Sequence, residues 1–150
     1  LGHQLLADAL GGSCGLQSPP EIGIFEVELT EAGDKDPIFS GMSRHQTCLQ
    51  WHSVQVTELP EDAEVLASSP LCTVQAMRVG RNAWSMQYHV EVEPDTVENW
   101  GRVPAYRSAL EHSLGAGSLE RLKNQAAEQM QDFRSNSSKL YENFRSAAGL

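Results

Sequence analysis

Trp84-Ser-Met-Gln-Tyr-His-Val-Glu-Val-Glu-Pro94 is the stretch from which the rest of the chain is read. Trp84, Met86 and Tyr88 alternate with Ser85, Gln87 and His89, the period of two of a pleated strand that ends before Pro94. His89 and Glu91 leave the same face of such a strand, about 7 Å apart by the usual rise. A small bend at the strand end brings the carboxylate onto one imidazole nitrogen. That contact fixes the tautomer and leaves the other nitrogen free as a base. Taken alone, a His-x-Glu pair is better explained as two solvated residues on an edge strand.

The opening of the chain reverses that preference. Leu1-Gly-His-Gln-Leu-Leu-Ala-Asp-Ala-Leu-Gly-Gly12 has apolar residues at 1, 5, 6, 9 and 10, one face of a helix, and two glycines that stop it. Together with Gln87-Tyr-His-Val-Glu91, this opening resembles the class I glutamine amidotransferases. Their nucleophile elbow reads Cys-x-Gly-His-Gln and runs into an apolar helix ending in Gly-Gly. Their catalytic histidine and glutamate sit in Gln-[Phe/Tyr]-His-x-Glu. The resemblance implies that His89 and Glu91 are catalytic. It also implies that the Leu1 N–H is an oxyanion donor and that Gln4 contacts the substrate glutamine. An elbow of this kind sets its nucleophile at a helix N-terminus, where the dipole and free N–H groups favour a thiolate. By this alignment Leu1 directly follows the nucleophilic cysteine, which the sequence does not contain. The 150-residue chain by itself is therefore expected to be inactive.

Between these two motifs, residues 13–20 read as a loop. Cys14 lies there past the helix, with no base in its motif, and carries little weight as a nucleophile. Glu21 to Thr30 alternates apolar and polar residues as a strand does, and 31–37 reads as a charged turn. Thr47 to Thr57 is a further strand. Its Gln50-Trp51-His52-Ser53-Val54 resembles the family's His-Gly pocket segment, which implies substrate contacts from Trp51, Ser53 and Val54. Ser53 stands where glycine is common, so a side chain occupies a place where backbone would approach the ligand. His52 is expected in the pocket wall rather than as a second base. Residues 64–68 form a short strand. Leu71 to Val79 and Ala83 to His89 form a hairpin through Gly80-Arg-Asn82. Helices are expected at 94–100 and 104–114, followed by one long amphipathic helix from Ser118.

Composition bounds the function. A net charge of −9 argues against nucleic-acid and anionic-membrane surfaces, which need clustered Lys and Arg. No apolar run reaches transmembrane length. The three cysteines and five histidines lack metal-site spacing, and unpaired thiols suit a cytoplasmic protein. The expected fold class is α/β, a three-layer, flavodoxin-like amidotransferase domain. Residues 1–150 would form part of it, with the N-terminal half missing and an antiparallel hairpin and C-terminal helices present. The resemblance implies hydrolysis of a γ-glutamyl amide by a Cys-His-Glu triad, with no cofactor. Glutamine or a γ-glutamyl compound would be the substrate, and an ammonia-accepting synthase a partner. A γ-glutamyl peptidase and a catalytically dead binding relative stay open as alternatives.

Overall fold

Two long strands carry the architecture. In a computed structural model that describes residues 1–150, β1 (Ser13–Leu29) and β2 (His45–Glu58) pair antiparallel from Ser13↔Glu58 to Glu28↔His45. The expected loop at 13–20 is thus mostly strand. Cys14, Gly15 and Leu16 pair with Val56, Gln55 and Val54, and the main slip in register falls between Leu16 and Glu21. Pro19 and Pro20 fall in that slip, where missing N–H donors cost no ladder bonds. The slip therefore lies opposite Ser53, on the segment read as a pocket wall.

The other strands are β3 (Ala63–Ser68), β4 (Ala76–Val79) and β5 (Ala83–Met86). The sheet order is β2-β1-β3-β4-β5, with every pairing antiparallel. Gly80, at φ +58°, takes the left-handed position in the expected β4–β5 hairpin. β5 ends earlier than the alternation suggested. Beyond it, His89 forms an isolated bridge with Leu49 of β2. The chain that leaves one edge of the sheet thus returns to the other edge, and the sheet curls.

Six helices surround it. α1 (Gly2–Ala9) buries Ala7 against Val56, Val74 and Met77. α2 (Glu31–Lys35) replaces the expected charged turn, because the Thr30 hydroxyl caps it by accepting from Gly33 N–H at 3.0 Å. A 3-10 turn at Pro37–Phe39 follows. α3 (Thr96–Gly101) and α4 (Pro104–Leu114) come after the His89 segment. The long helix expected from Ser118 is instead two, α5 (Ser118–Glu128) and α6 (Met130–Ala147), broken at Gln129 (φ −97°, ψ 3°). Their apolar residues serve two separate cores. Leu122, Ala126 and Phe133 pack with Ile22, Leu49, Val97 and Leu110. Leu140 packs against the cluster of Val27, Leu29, Phe39, Tyr88 and Val90. Asn143 fastens α6 by donating to the Ile38 and Ser40 carbonyls at 3.0 and 2.9 Å. No helix is long and apolar enough to cross a membrane.

Gly33 is required by close approach. A Cβ there would stand 2.0 Å from the Leu66 carbonyl oxygen, a backbone atom already held by Thr30 N–H at 3.0 Å. Gly33→Ala should lower stability in urea denaturation by about 2–4 kcal/mol. A variant within about 0.5 kcal/mol of the native protein would contradict this packing.

Candidate active site

His89 is held from its backbone outward. Its N–H donates to the Leu49 carbonyl and its carbonyl accepts from Leu49 N–H, each at 2.9 Å. Its neighbours Tyr88 and Val90 are each 2 % exposed and sink into the same core cluster. Strand alternation therefore turns His89 and Glu91 the other way. The two side chains meet, His89 Nδ1 to Glu91 Oε1 at 2.6 Å, while Glu91 Oε2 accepts from Val90 N–H at 3.0 Å. An acceptor at Nδ1 leaves Nε2 as the free nitrogen of the neutral ring. Desolvation raises the Glu91 pKa, but the bonds from His89 and from backbone N–H groups outweigh it and hold the carboxyl below its usual value. The Trp100 ring of α3 meets the imidazole edge-on, with centroids 4.9 Å apart. Trp51 joins Trp100 at 5.6 Å and Tyr106 of α4 at 6.3 Å.

A second, buried polar cluster lies at α1. Gln4 Nε2 donates to the Val54 carbonyl at 3.4 Å and to Gln87 Oε1. Gln87 Nε2 lies 3.0 Å from His52 Nδ1, and His52 Nε2 lies 3.1 Å from Glu21 Oε2. Glu21 is 1 % exposed. Burial pushes its pKa up, but the donors His52, Ser69 and Gln17 outweigh that and leave it lowered. His3, one residue from Gln4, is also buried. Its Nε2 reaches the Val74 carbonyl at 3.1 Å, and its Nδ1 lies 2.9 Å from Ser85 Oγ. Desolvation drives its pKa down to about 4.

Leu1 sits exposed at the N-cap of α1, its carbonyl accepting from Leu5 N–H. Trp51, His52 and Ser53 line a cleft of about 380 Å³ with Pro20, Tyr106 and His112. The structure thus gathers Gln4, Val54, His52 and Gln87 in one cluster and Trp51 and His89 around Trp100. Cys14 is exposed, and its pKa is raised by desolvation and by Asp8, the wrong direction for a thiolate nucleophile. Cys48 is buried and shifted upward by that burial. No group of three or more His, Cys, Asp and Glu side chains is placed to hold a metal ion.

Sequence reasoning missed Glu21, Trp100 and Tyr106. Glu21 looked like the polar start of a strand. Its partners lie 4 to 54 residues away, so no local spacing announces them. Trp100 and Tyr106 lie on separate helices, and only the return of the chain to Leu49 sets the first of them against His89.

The buried His3 makes stability depend on pH. The fold holds its pKa at about 4 against an ordinary 6.5, so between those values the unfolded chain binds more protons than the folded one. Stability is full above pH 6.5 and falls as pH drops toward 4, by up to about 3 kcal/mol. Glu21 and Glu91, both held low, act only below the usual carboxyl value of 4.5. His3→Gln can still donate to Val74 and accept from Ser85. It should flatten the loss between about pH 7 and about pH 5 in urea denaturation. An unchanged slope would show that His3 does not carry it.

Residues 1–99 match the family described as glutamine amidotransferase class-I. A subunit of the glutamine-hydrolyzing GMP synthase of Pyrococcus abyssi is 37% identical over 93 residues, covering 61% of this chain and 48% of that protein. The corresponding GMP synthase subunit of Saccharolobus solfataricus is 37% identical over 94 residues, covering 62% and 48%. The chain thus spans about half the length of the curated relatives it matches. A solved glutamine amidotransferase from Thermotoga maritima superposes with a TM-score of 0.79 at 26% identity, over 95% of this chain and 58% of that one. On the match across residues 1–99 and the shared fold, the chain belongs to the class I glutamine amidotransferase family.

Proposed function

We propose that residues 1–150 are part of a class I glutamine amidotransferase domain and supply its acid–base pair, His89 and Glu91. The observation that carries this is the 2.6 Å contact between His89 Nδ1 and Glu91 Oε1, on a segment clamped to β2 by two backbone bonds. In this reading a cysteine directly before Leu1 attacks the γ-glutamyl amide carbonyl. The resulting oxyanion is met by backbone N–H groups, that of Leu1 among them. His89 takes the thiol proton at Nε2 and gives it to the leaving ammonia, then takes one from the water that releases glutamate and returns it to the sulfur. Glu91 keeps the ring in the tautomer this requires. Gln4, Trp51, Ser53 and Val54 form the substrate wall. No step calls for a metal or an organic cofactor. The 150-residue chain, without that thiol, does not turn over.

The relatives named as subunits of a glutamine-hydrolyzing GMP synthase support glutamine as the substrate and a synthase as the recipient of ammonia. Three free cysteines suit a reducing cytoplasm. One observation favours a second reading, a γ-glutamyl peptidase. Trp51, His52 and Ser53 open on a cleft of about 380 Å³ against α4, and a γ-glutamyl compound with a leaving amine larger than ammonia would need such room. Activity on glutamine against a γ-glutamyl dipeptide separates the two. A catalytically dead relative would carry serine, alanine or glycine in place of the cysteine before Leu1.

Steady-state kinetics on the protein bearing that cysteine tests the assignment. His89→Ala should cut kcat by several orders of magnitude. Glu91→Gln should cost less, about 10- to 1000-fold, because a cysteine is partly ionised even unaided. His52→Ala should mainly raise KM. If His52→Ala abolished turnover and His89→Ala kept it, the base would be the other histidine.

A further inference from the structure

A closed circuit of contacts runs through the His89 imidazole. Leu49 of β2 holds the His89 backbone by two hydrogen bonds of 2.9 Å. The His89 ring meets the Trp100 indole edge-on, with centroids 4.9 Å apart and planes at 75°. Trp100 in turn meets Trp51 edge-on at 5.6 Å. Trp51 and Leu49 lie two apart on β2, so their side chains share a face of the strand, and both pack into one apolar cluster. The strand that fixes the backbone of His89 thus also fixes, through two indoles, what its ring packs against.

Trp100 is itself firmly seated. It lies on α3, whose Val97 is 2 % exposed in the cluster of Leu49, Leu110 and Leu122. Beside it Gly101 presses on α5, where an added Cβ would stand 2.5 Å from Leu119 Cδ1. Glu98 of α3 pairs with Lys123 of α5 at 3.6 Å.

The bond that this circuit supports is open to water. The His89 side chain is 34 % exposed and that of Glu91 66 %. An exposed pair is held weakly, because water competes for both partners and ordering the side chains costs entropy. Glu91 selects the orientation of the imidazole, and a flat neighbour against the ring keeps it there. An edge-on indole is such a neighbour, favourable beyond the area it covers.

We infer that Trp100 is a positioning residue. Packed against His89, it keeps the imidazole on Glu91 with Nε2 free, and it makes α3 and the helices behind it part of the acid–base apparatus. Residue 100 lies outside the stretch 1–99 that the family matches. The catalytic consequence rests on the function proposed above, whereas the seating of the ring does not.

The alternative is that Trp100 only packs α3 onto β2, and steady-state kinetics on the full-length protein separates the two. Trp100→Met fills much of the same space without a rigid plane. It should cut kcat roughly 10- to 100-fold and leave KM for glutamine within about 3-fold. Trp100→Phe restores a flat ring and should keep kcat within about 5-fold of the native value. Val97→Ala loosens the same helix but keeps the indole, and should leave kcat within about 3-fold. A Trp100→Met kcat within about 3-fold of native overturns the inference, and so does an equal kcat loss in Val97→Ala. Should Trp100→Met fail to fold, ¹⁵N-labelled histidine in the native protein at about pH 7.5 decides. The His89 Nδ1–H signal, assigned by its loss in His89→Ala, should be visible, and the ring should show proton–proton contacts to the indole. A signal lost to exchange with water, or a ring without those contacts, overturns the inference. A native protein inert on glutamine, or a His89→Ala that kept full turnover, would overturn the proposed function, and the Nδ1–H signal would still decide the seating of the ring.

Discussion

Two backbone hydrogen bonds between Leu49 and His89, each 2.9 Å long, hold the site in its place. They join the chain beyond the last strand of the sheet to the strand at the opposite edge. That closure curls the sheet, and it also sets His89 opposite a residue only two positions from Trp51 along β2. A side-chain pair on a free strand end would lose its geometry to fraying. Here Tyr88 and Val90, both 2 % exposed, anchor the segment from the core side while the bridge fixes the backbone. The imidazole then has only its ring orientation left to settle, and Glu91 at 2.6 Å settles it.

Polar groups are buried around this clamp in an ordered way. Glu21, His52 and Gln87 come from three segments far apart in sequence, and each side chain is nearly inaccessible. Burying a carboxylate is costly unless donors surround it, and Glu21 accepts from Gln17, Ser69 and Gln75 with His52 Nε2 3.1 Å away. The arrangement ties the register slip of β1, His52 of β2 and the stretch before His89 to a single charge. It leaves α1 attached by Gln4 and by the buried His3, whose neutral ring the fold requires.

Much of this was legible in the sequence, and the limits have physical causes. The alternation from Trp84 to His89 marked the right faces, and the hairpin through Gly80 follows from turn chemistry that acts locally. The His89–Glu91 contact was readable because both residues sit on one short segment. The strand character of 13–16 was not. Glycine and two prolines argue for a loop, yet pairing with residues 54–56 across the sheet overrides that preference, and the prolines fall only in the slip. The break at Gln129 was equally hidden. The apolar periodicity runs on past it, and only the positions of two separate cores require a bend. Glu21 shows the deepest limit: an acid at a strand start looks solvated until Ser69 and Gln75, from the connection between β3 and β4, donate to its carboxylate.

The position of the nucleophile decides the matter. A diazoketone analogue of glutamine alkylates an activated thiol held against a γ-glutamyl site, and peptide mass spectrometry of the treated full-length protein reads its position. The adduct should fall on a cysteine immediately before Leu1, and His89→Ala should slow its formation. An adduct on Cys14, Cys48 or Cys72, or none at all, would contradict the assignment of His89 and Glu91 as the acid–base pair of a thiol amidohydrolase.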